Sequence, residues 1–407
     1  MNRVWTALIL IALVTACIRL FHGDARVFAR LLEALFSMAG TGFEIALGLT
    51  GVLALWLGFL RIGEAAGAVR GLTWVLNPLL RRLMPEVPPG HPALGVVTMN
   101  LAANALGLDN AATPLGIQAM RELQSLNPRS DTFSRAQSLF LVVNTSAVTL
   151  VPVAVFTYRA QLGAADPTDV FVPILMATYC STLAGLLAVA AVQKLKVWDP
   201  VVLAYLLGLG GLIAALAVWL SGFDQAAMQA RAALLGQSLL LGLIAVFLLL
   251  AWMRGIDAYG AFIDGAREGF QTAVTLIPYL IAMLVAVGLL RASGALTWVL
   301  EGLRDILSSY AIDTRFVDAL PTALMKPFSG SGARAMMIDA MRTHGPDSLP
   351  GRIASIMQGS TETTFYVLAV YGGAVGIRRV GHALPCALIA DAAGLTAAVV
   401  IGYWFFG

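Results

Sequence analysis

The sequence predicts an all-α polytopic membrane protein, with about nine transmembrane helices and two re-entrant helical hairpins in an inverted repeat. Three observations carry that expectation. Of the 407 residues, 59% are hydrophobic and 12% are Asp, Glu, Lys or Arg, about half the roughly 25% charge of ordinary soluble domains. Long apolar runs recur along the whole chain. Two further regions break on polar and glycine residues at the depth where a crossing should continue.

The net charge of +3 is too small to indicate a nucleic-acid partner. Cys17, Cys180 and Cys386 lie far apart in apolar segments, and His22, His91, His344 and His382 are equally scattered. Neither set has disulfide-framework or metal-ligand spacing, so no metal or resident cofactor is expected.

The first apolar run spans residues 4–21 after Arg3. Val14-Thr15-Ala16-Cys17 resembles a lipoprotein cleavage box, but Arg19 follows at once and the chain stays apolar. An uncleaved first helix is the expectation. A crossing needs ~20 mostly apolar residues, which fits segments near 41–60, 134–158, 167–193, 199–220, 230–253, 269–290, 350–374 and 381–406. Stretches near 24–38, 62–83, 255–268 and 294–310 are amphipathic and read as interfacial.

The first broken region runs from Pro92 to Leu126, PALGVVTMNLAANALGLDNAATPLGIQAMRELQSL. Its apolar half stops at Leu108, turns through Asp109-Asn110 and restarts with Pro114 near a helix start, where proline is tolerated. The second reads ALPTALMKPFSGSGARAMMIDAMR from Ala319 and breaks at Lys326-Pro327 and the Ser329-Gly330-Ser331-Gly332 run. Helix, polar turn, helix at membrane depth is a re-entrant hairpin, tolerated only where protein or a wet cavity surrounds it.

The two regions belong to a duplication. Leu72-Thr73-Trp74-Val75-Leu76 recurs as Leu296-Thr297-Trp298-Val299-Leu300 at an offset of 224. Ile117-x-Ala119-Met120-Arg121 recurs at 338–342, offset 221, and Arg135-x-x-Ser138 at 352–355, offset 217. That last register lays Asn144-Thr145-Ser146 over Thr361-Glu362-Thr363. Five crossings separate the helix at 41–60 from its copy, an odd number, so the second copy enters the membrane inverted. Inverted repeats with broken helices characterise secondary transporters, with the binding site at the midplane. Arg3, the Arg61–Arg82 group, Arg121, Arg129, Arg135, Lys194, Lys196, Arg254, Arg378 and Arg379 would then share the cytoplasmic side.

Polar groups inside a membrane are costly and mark function. The candidate substrate-binding residues fall in four matched clusters. They are Asn100, Asn104, Asp109, Asn110 and Thr113 in the first hairpin and Asn144, Thr145 and Ser146 after it. The second copy supplies Lys326, Ser329 and Ser331, then Gln358, Ser360, Thr361, Glu362 and Thr363. Lys326 and two helix N-termini suit an anionic group, and Asp109 or Glu362 could take a proton or help hold Na⁺, the two candidate coupling ions. An internal ion pair of Lys326 with Asp109 or Glu362 is the alternative. Glu44 and Asp391, lone acids in apolar helices, read as structural partners for arginines.

PALGVVTMNLAANALGLDNAATPLGIQAM resembles the signature region of the spore maturation protein A family. PFSGSGARAMM with MQGSTETTFYVLAVYGGAVGIRR resembles that of the spore maturation protein B family. The resemblance implies three parts: an A-like repeat over residues 1–195, a linking transmembrane helix over 196–229 and a B-like repeat over 230–407. Both families belong to the nucleoside-recognition or gate group, which includes concentrative nucleoside transporters. In those, a Gln-Thr-Glu-Ala-Pro-Leu run at the first hairpin tip contacts the base. Here Asn110 stands for the Gln and Ala112 for the Glu.

The reading is a secondary transporter of a small polar, anionic metabolite in a bacterial inner membrane. The lipid bilayer and a small-molecule substrate would be its partners, with a homo-oligomer as a further option. The alternative is a non-transporting scaffold or regulator of a peptidoglycan-processing enzyme. An intramembrane enzyme lacks support: no Ser–His, Ser–Lys or two-histidine metal pattern has workable spacing.

Overall fold

The computed structural model describes all residues except 1, 108, 130, 147–148 and 378, and all side chains except those of these residues, 2 and 109–111. The described residues form helices joined by loops. The chain begins with α1 (Asn2–Phe21), α2 (Val27–Ala65) and α3 (Ala68–Leu83). The first hairpin follows as α4 (Pro92–Ala105) and α5 (Asp109–Ser125), then α6 (Arg135–Ser146), α7 (Val153–Gln161) and α8 (Phe171–Gln193). A single helix, α9 (Pro200–Ser221), leads into the second copy. That copy is α10 (Gln225–Met253), α11 (Ala258–Ser293), α12 (Ala295–Ser309), a 3-10 turn (Arg315–Ala319) with α13 (Leu320–Met325), α14 (Gly330–His344), α15 (Leu349–Ser360), α16 (Thr364–Gly373) and α17 (Ala383–Phe406).

Seven of these, α1, α2, α8, α9, α10, α11 and α17, are long and apolar enough to cross a membrane. The chain is therefore an all-α multi-pass membrane protein. The other two expected crossings, 134–158 and 350–374, are each two short helices, α6 with α7 and α15 with α16, separated by non-helical backbone. The stretches 24–38 and 255–268 are not separate interfacial helices. They continue into the crossings, giving α2 39 residues and α11 36. At 1.5 Å per residue each exceeds a ~30 Å hydrocarbon layer. The remaining two amphipathic segments are α3 and α12. Each is separated from its long helix by a glycine in the left-handed region, Gly67 (φ 76°) and Gly294 (φ 86°), a conformation costly for any side chain with a Cβ.

The two copies touch through equivalent surfaces. α2 and α11 cross antiparallel and so closely that a Cβ on Gly42 would meet the Ile281 Cα at 3.0 Å, and one on Gly269 would meet the Ala54 Cα at 2.6 Å. Gly42 and Gly269 are 227 residues apart, as are Ala54 and Ile281. Each contact is thus the other with the copies exchanged, which is what a two-fold relation produces. Met38 packs on Gly288 as Arg61 packs on Gly265, at the same offset. α8 and α17 repeat the device: Gly185 lies against Ala390 and Gly394 against Ser181, offset 209. Small residues let membrane helices approach this far. The repeat also extends one helix further than the sequence motifs reach. Arg19 at the end of α1 lies over Gly294, and Arg254 beyond α10 lies over Gly67. From α1 to α8 the offset falls steadily through 235, 227, 217 and 209, continuing the drift of the sequence motifs.

The connecting loops are exchanged in the same way, at opposite ends of the bundle. The base of the first hairpin is held by the α16–α17 loop, through Arg379 N–H donating to the Asp131 carbonyl at 3.1 Å and Phe133 N–H to the Arg379 carbonyl at 3.4 Å. The base of the second is held by the α7–α8 side of the first copy. Arg159, fully buried, donates to the Pro346 carbonyl at 2.6 Å, to Asp169 at 2.8 Å and to Asp347 at 3.1 Å. Arg352 meets Asp169 at 2.8 Å from the other side.

Two outcomes follow from this packing. Gly269→Leu should lower the thermal unfolding temperature of the purified protein, with overpacking costing about 1–3 kcal/mol. Gly51→Leu, with open space around it, should leave that temperature unchanged. Arg159→Met leaves the buried Asp169 with Arg352 alone and should cost more than about 1 kcal/mol. Arg379→Met, which removes only a surface pair with Asp131 at 3.5 Å, should cost less than about 1 kcal/mol in the same melting assay.

Candidate functional site

The first hairpin turns after α4 at Gly107, in the left-handed region at φ 74°. Asn100 ties its arms together, Nδ2 donating to the Ala112 carbonyl at 2.7 Å. Asn104 reaches out of the hairpin, donating to Asn144 Oδ1 of α6 at 2.8 Å, while Asn144 Nδ2 donates to the Phe140 carbonyl at 3.0 Å. Thr113 is half-buried on the opening turns of α5. The side chains of Asp109 and Asn110 lie outside the described residues.

The second hairpin turns at Lys326-Pro327-Phe328. Ser329 caps α14 by accepting from Gly332 N–H at 2.8 Å, and its hydroxyl lies 3.2 Å from that of Ser331. Lys326, 3% exposed, donates from Nζ to the Gln358 carbonyl at 2.7 Å. That carbonyl belongs to the last turn of α15, where helical partners run out.

The two helix breaks have local causes. The Thr145 and Ser146 hydroxyls turn back onto their own helix, to the Val142 carbonyl at 3.0 Å and the Val143 carbonyl at 3.2 Å, and such bonds compete with the helical ladder. Pro152 then disfavours helix at the residue before it. In the second copy Ser360 bonds the Met357 carbonyl at 3.0 Å. The β-branched Thr361 and Thr363 are extended, at φ −145°, ψ 169° and φ −84°, ψ 93°.

Backbone groups freed by the breaks find partners across the molecule. Leu150 N–H donates to the Ala105 carbonyl at the first turn at 3.0 Å, and Phe365 N–H to the Pro327 carbonyl at the second at 2.9 Å. The Ser146 carbonyl accepts the Thr182 and Thr178 hydroxyls of α8 at 3.2 and 3.3 Å. Glu362 N–H donates to the Thr145 carbonyl at 2.7 Å. Thr145 and Glu362 are equivalent residues of the two copies, so this bond lies on the pseudo-two-fold axis.

Hairpin tip, break, break and hairpin tip thus form one connected polar cluster. Asn104, Asn144, Thr145, Glu362, Gln358 and Lys326 are linked through it, and Thr363 sits against Gly330 of the second hairpin. Glu362 is exposed while Thr361 is buried. Among the buried oxygens with no hydrogen-bond partner are Asn100 Oδ1 in the first hairpin and Gln358 Oε1, Thr361 Oγ1 and Asp391 Oδ1 in the second copy. Two surface grooves, of about 570 Å³ beside Cys180, Ala392 and Thr396 and about 510 Å³ beside Arg19, Arg291 and Trp298, are lined by other residues.

The copies differ in charge here. Lys326, Glu362 and Asp391 of the second correspond to Ala105, Thr145 and Thr182 of the first. Asp391 does not pair with an arginine as expected. It accepts the Thr364 hydroxyl at 2.6 Å, because the segments packed against it present hydroxyls and not guanidinium groups. Glu44 is exposed on α2 and, among the described residues, forms no ion pair with an arginine. Arg334, in the opening turns of α14, went unnoticed in the sequence and faces the Tyr158 ring at 5.8 Å. Its signal was an arginine inside a predicted hairpin arm.

Asn144→Leu removes the acceptor for Asn104 and should cost about 1–3 kcal/mol, whereas replacing both partners by Leu should recover most of that. Thermal unfolding of the two variants beside the parent measures it.

Comparison with known proteins agrees with this geometry. The model of a family described as Gate, nucleoside recognition, matches residues 46–162 and 273–378, the two copies just described. Spore maturation protein B of Bacillus subtilis is 44% identical over 165 residues, covering 40% of this chain and 91% of that protein. Spore maturation protein A of the same organism is 38% identical over 186 residues, covering 46% of this chain and 92% of that protein. With more than half its length matched, in two copies, the chain belongs to the nucleoside-recognition gate family.

Proposed function

We propose that the protein is a secondary transporter of the bacterial plasma (inner) membrane, moving a small polar, anionic metabolite through a midplane site between its two gate repeats. One observation carries the reading: the helix breaks meet in the Glu362–Thr145 backbone bond on the pseudo-two-fold axis, with a hairpin turn hydrogen-bonded to each. Broken helices facing each other at the centre of inverted repeats direct helix ends and polar side chains towards a polar solute where the surrounding bilayer offers it nothing. The family resembles transporter-like membrane proteins rather than enzymes, and among the described residues of the cluster no nucleophile is paired with a base.

Recognition of an anion falls to Lys326, assisted by the capped N-terminus of α14 and its Ser329 and Ser331 hydroxyls. Lys326 brings a full positive charge to the hairpin turn, where it donates to the Gln358 carbonyl. Asn104, Asn144, Gln358, Thr361 and Thr363 suit the polar remainder of the substrate. The coupling ion is H⁺ or Na⁺. Transport would carry the hairpins past the glycine-packed α2–α11 pair.

The second reading, a membrane scaffold for a cell-wall enzyme, is favoured by the mutual bonding of Asn104 with Asn144 and by grooves that miss the cluster. A ligand-dependent melting screen separates the two. Dicarboxylates, nucleosides, amino acids and cell-wall precursors are tested on the parent, Lys326→Gln and Lys326→Met. The transporter reading expects stabilisation by an anionic set, lost in both variants, with any neutral ligand retained. Unaltered anion binding in the variants would refute the role of Lys326. No stabilisation by any set would favour the scaffold.

A further inference from the structure

We propose that Asp391 is a proton-binding site whose occupancy controls the attachment of α16, the second half of the broken helix, to α17. The proposal rests on the transporter reading for its use but not for its test.

Asp391 lies midway along α17 and is 2% exposed. Its Oδ2 accepts one hydrogen bond, from the Thr364 hydroxyl at 2.6 Å, and its Oδ1 has no partner. Among the described residues no cation is within ion-pair distance of it. A buried carboxylate so poorly compensated is costly, and an intramembrane acid of this kind marks a proton path. Its counterpart in the first copy, Thr182, bonds the Ser146 carbonyl. The duplicated scaffold therefore needs no acid at this position, and of the two copies the second carries one.

The groups around it are few. Lys326 at the hairpin turn and Glu362 in the break act on Asp391 through their charge. α6 and α15 carry their ionisable side chains, Arg135 and Arg352, at their starts, away from this level. α8 offers Tyr179 and Cys180, the latter on the groove beside Ala392, and α16 offers Tyr366 and Tyr371. Thr361, whose hydroxyl oxygen is also without a partner, packs on Gly394, one turn along α17.

The coupling follows from the position of Thr364, the first residue of α16. With Asp391 ionised, the Thr364 bond is charge-assisted, roughly twice as strong as a neutral one, and pins the start of α16 to α17. A proton passing from water to Oδ1 removes the charge and weakens that bond. The next residue, Phe365, holds the hairpin turn through Pro327, so release of α16 loosens the tip that carries Lys326.

Pulsed spin-label distance measurements test this in the full chain, with Cys17, Cys180 and Cys386 replaced by Ala. Labels go on Tyr366→Cys and Trp198→Cys, both positions exposed. The parent should show a distance distribution that shifts between acid and alkaline pH. Asp391→Asn should hold the acid distribution at every pH, and Asp391→Glu should keep the response. Infrared titration should find a protonated-carboxyl C=O band in the parent at low pH that Asp391→Asn lacks. If Asp391→Asn does not fold, Thr364→Val serves, and should also be fixed in the acid distribution. A parent that does not respond, or a response preserved in Asp391→Asn or Thr364→Val, would overturn the proposal. None of these measurements needs a substrate, so an absence of transport would leave them standing.

Discussion

Backbone N–H and C=O groups inside a bilayer have no water to bond, so every interruption of a helix must be repaired by protein. This constraint organises the centre of the molecule. Two crossings are broken, and their freed groups reach the hairpin turns through Leu150 and Phe365, α8 through Ser146, and each other through Glu362 and Thr145. Remove the partner copy and each break loses an obligatory hydrogen bond. The breaks, the hairpins and the pairing of the copies therefore form one structural solution.

Close approach makes that solution attainable. The glycines at 42, 265, 269 and 288 bring α2 and α11 into contact, and those at 185 and 394 do the same for α8 and α17. Both crossings are antiparallel and self-complementary, so a single duplicated surface suffices to build each. The exchange runs through the core as well. Residues of α7 pack in the same apolar cluster as the second hairpin, and residues of α16 in the cluster of the first.

The duplication and the hairpins were legible because their signals are local: motifs in order, Gly and Pro at mid-depth, an odd number of crossings. The breaks in 134–158 and 350–374 were less so. Pro152 was available as a signal in the first, but the second has no proline near its break and is interrupted by threonines whose effect depends on what lies opposite. The link between α1 and α10 was not visible, since Arg19 and Arg254 take equivalent places in the two copies, over Gly294 and Gly67, without a shared motif. The partner of Asp391 was misread because an acid in an apolar helix states a need without naming what meets it. Thr364 lies 27 residues away on a segment that had been expected to run as unbroken helix.

The loops that hold the hairpin bases have equivalent places in the two copies but unequal chemistry. One is a buried group of two arginines and two aspartates around a fully covered Arg159. The other is backbone bonding with an ion pair, Arg379 with Asp131, whose side chains are 77% and 59% exposed. Mobile ions screen exposed charges over about 8 Å at physiological ionic strength and act far less on buried ones. Salt thus reaches the charges at one end of the molecule more readily than those at the other. A two-fold scaffold with such unequal ends has a built-in direction, and a change in the ionic strength of one compartment would act on it as a polarised load.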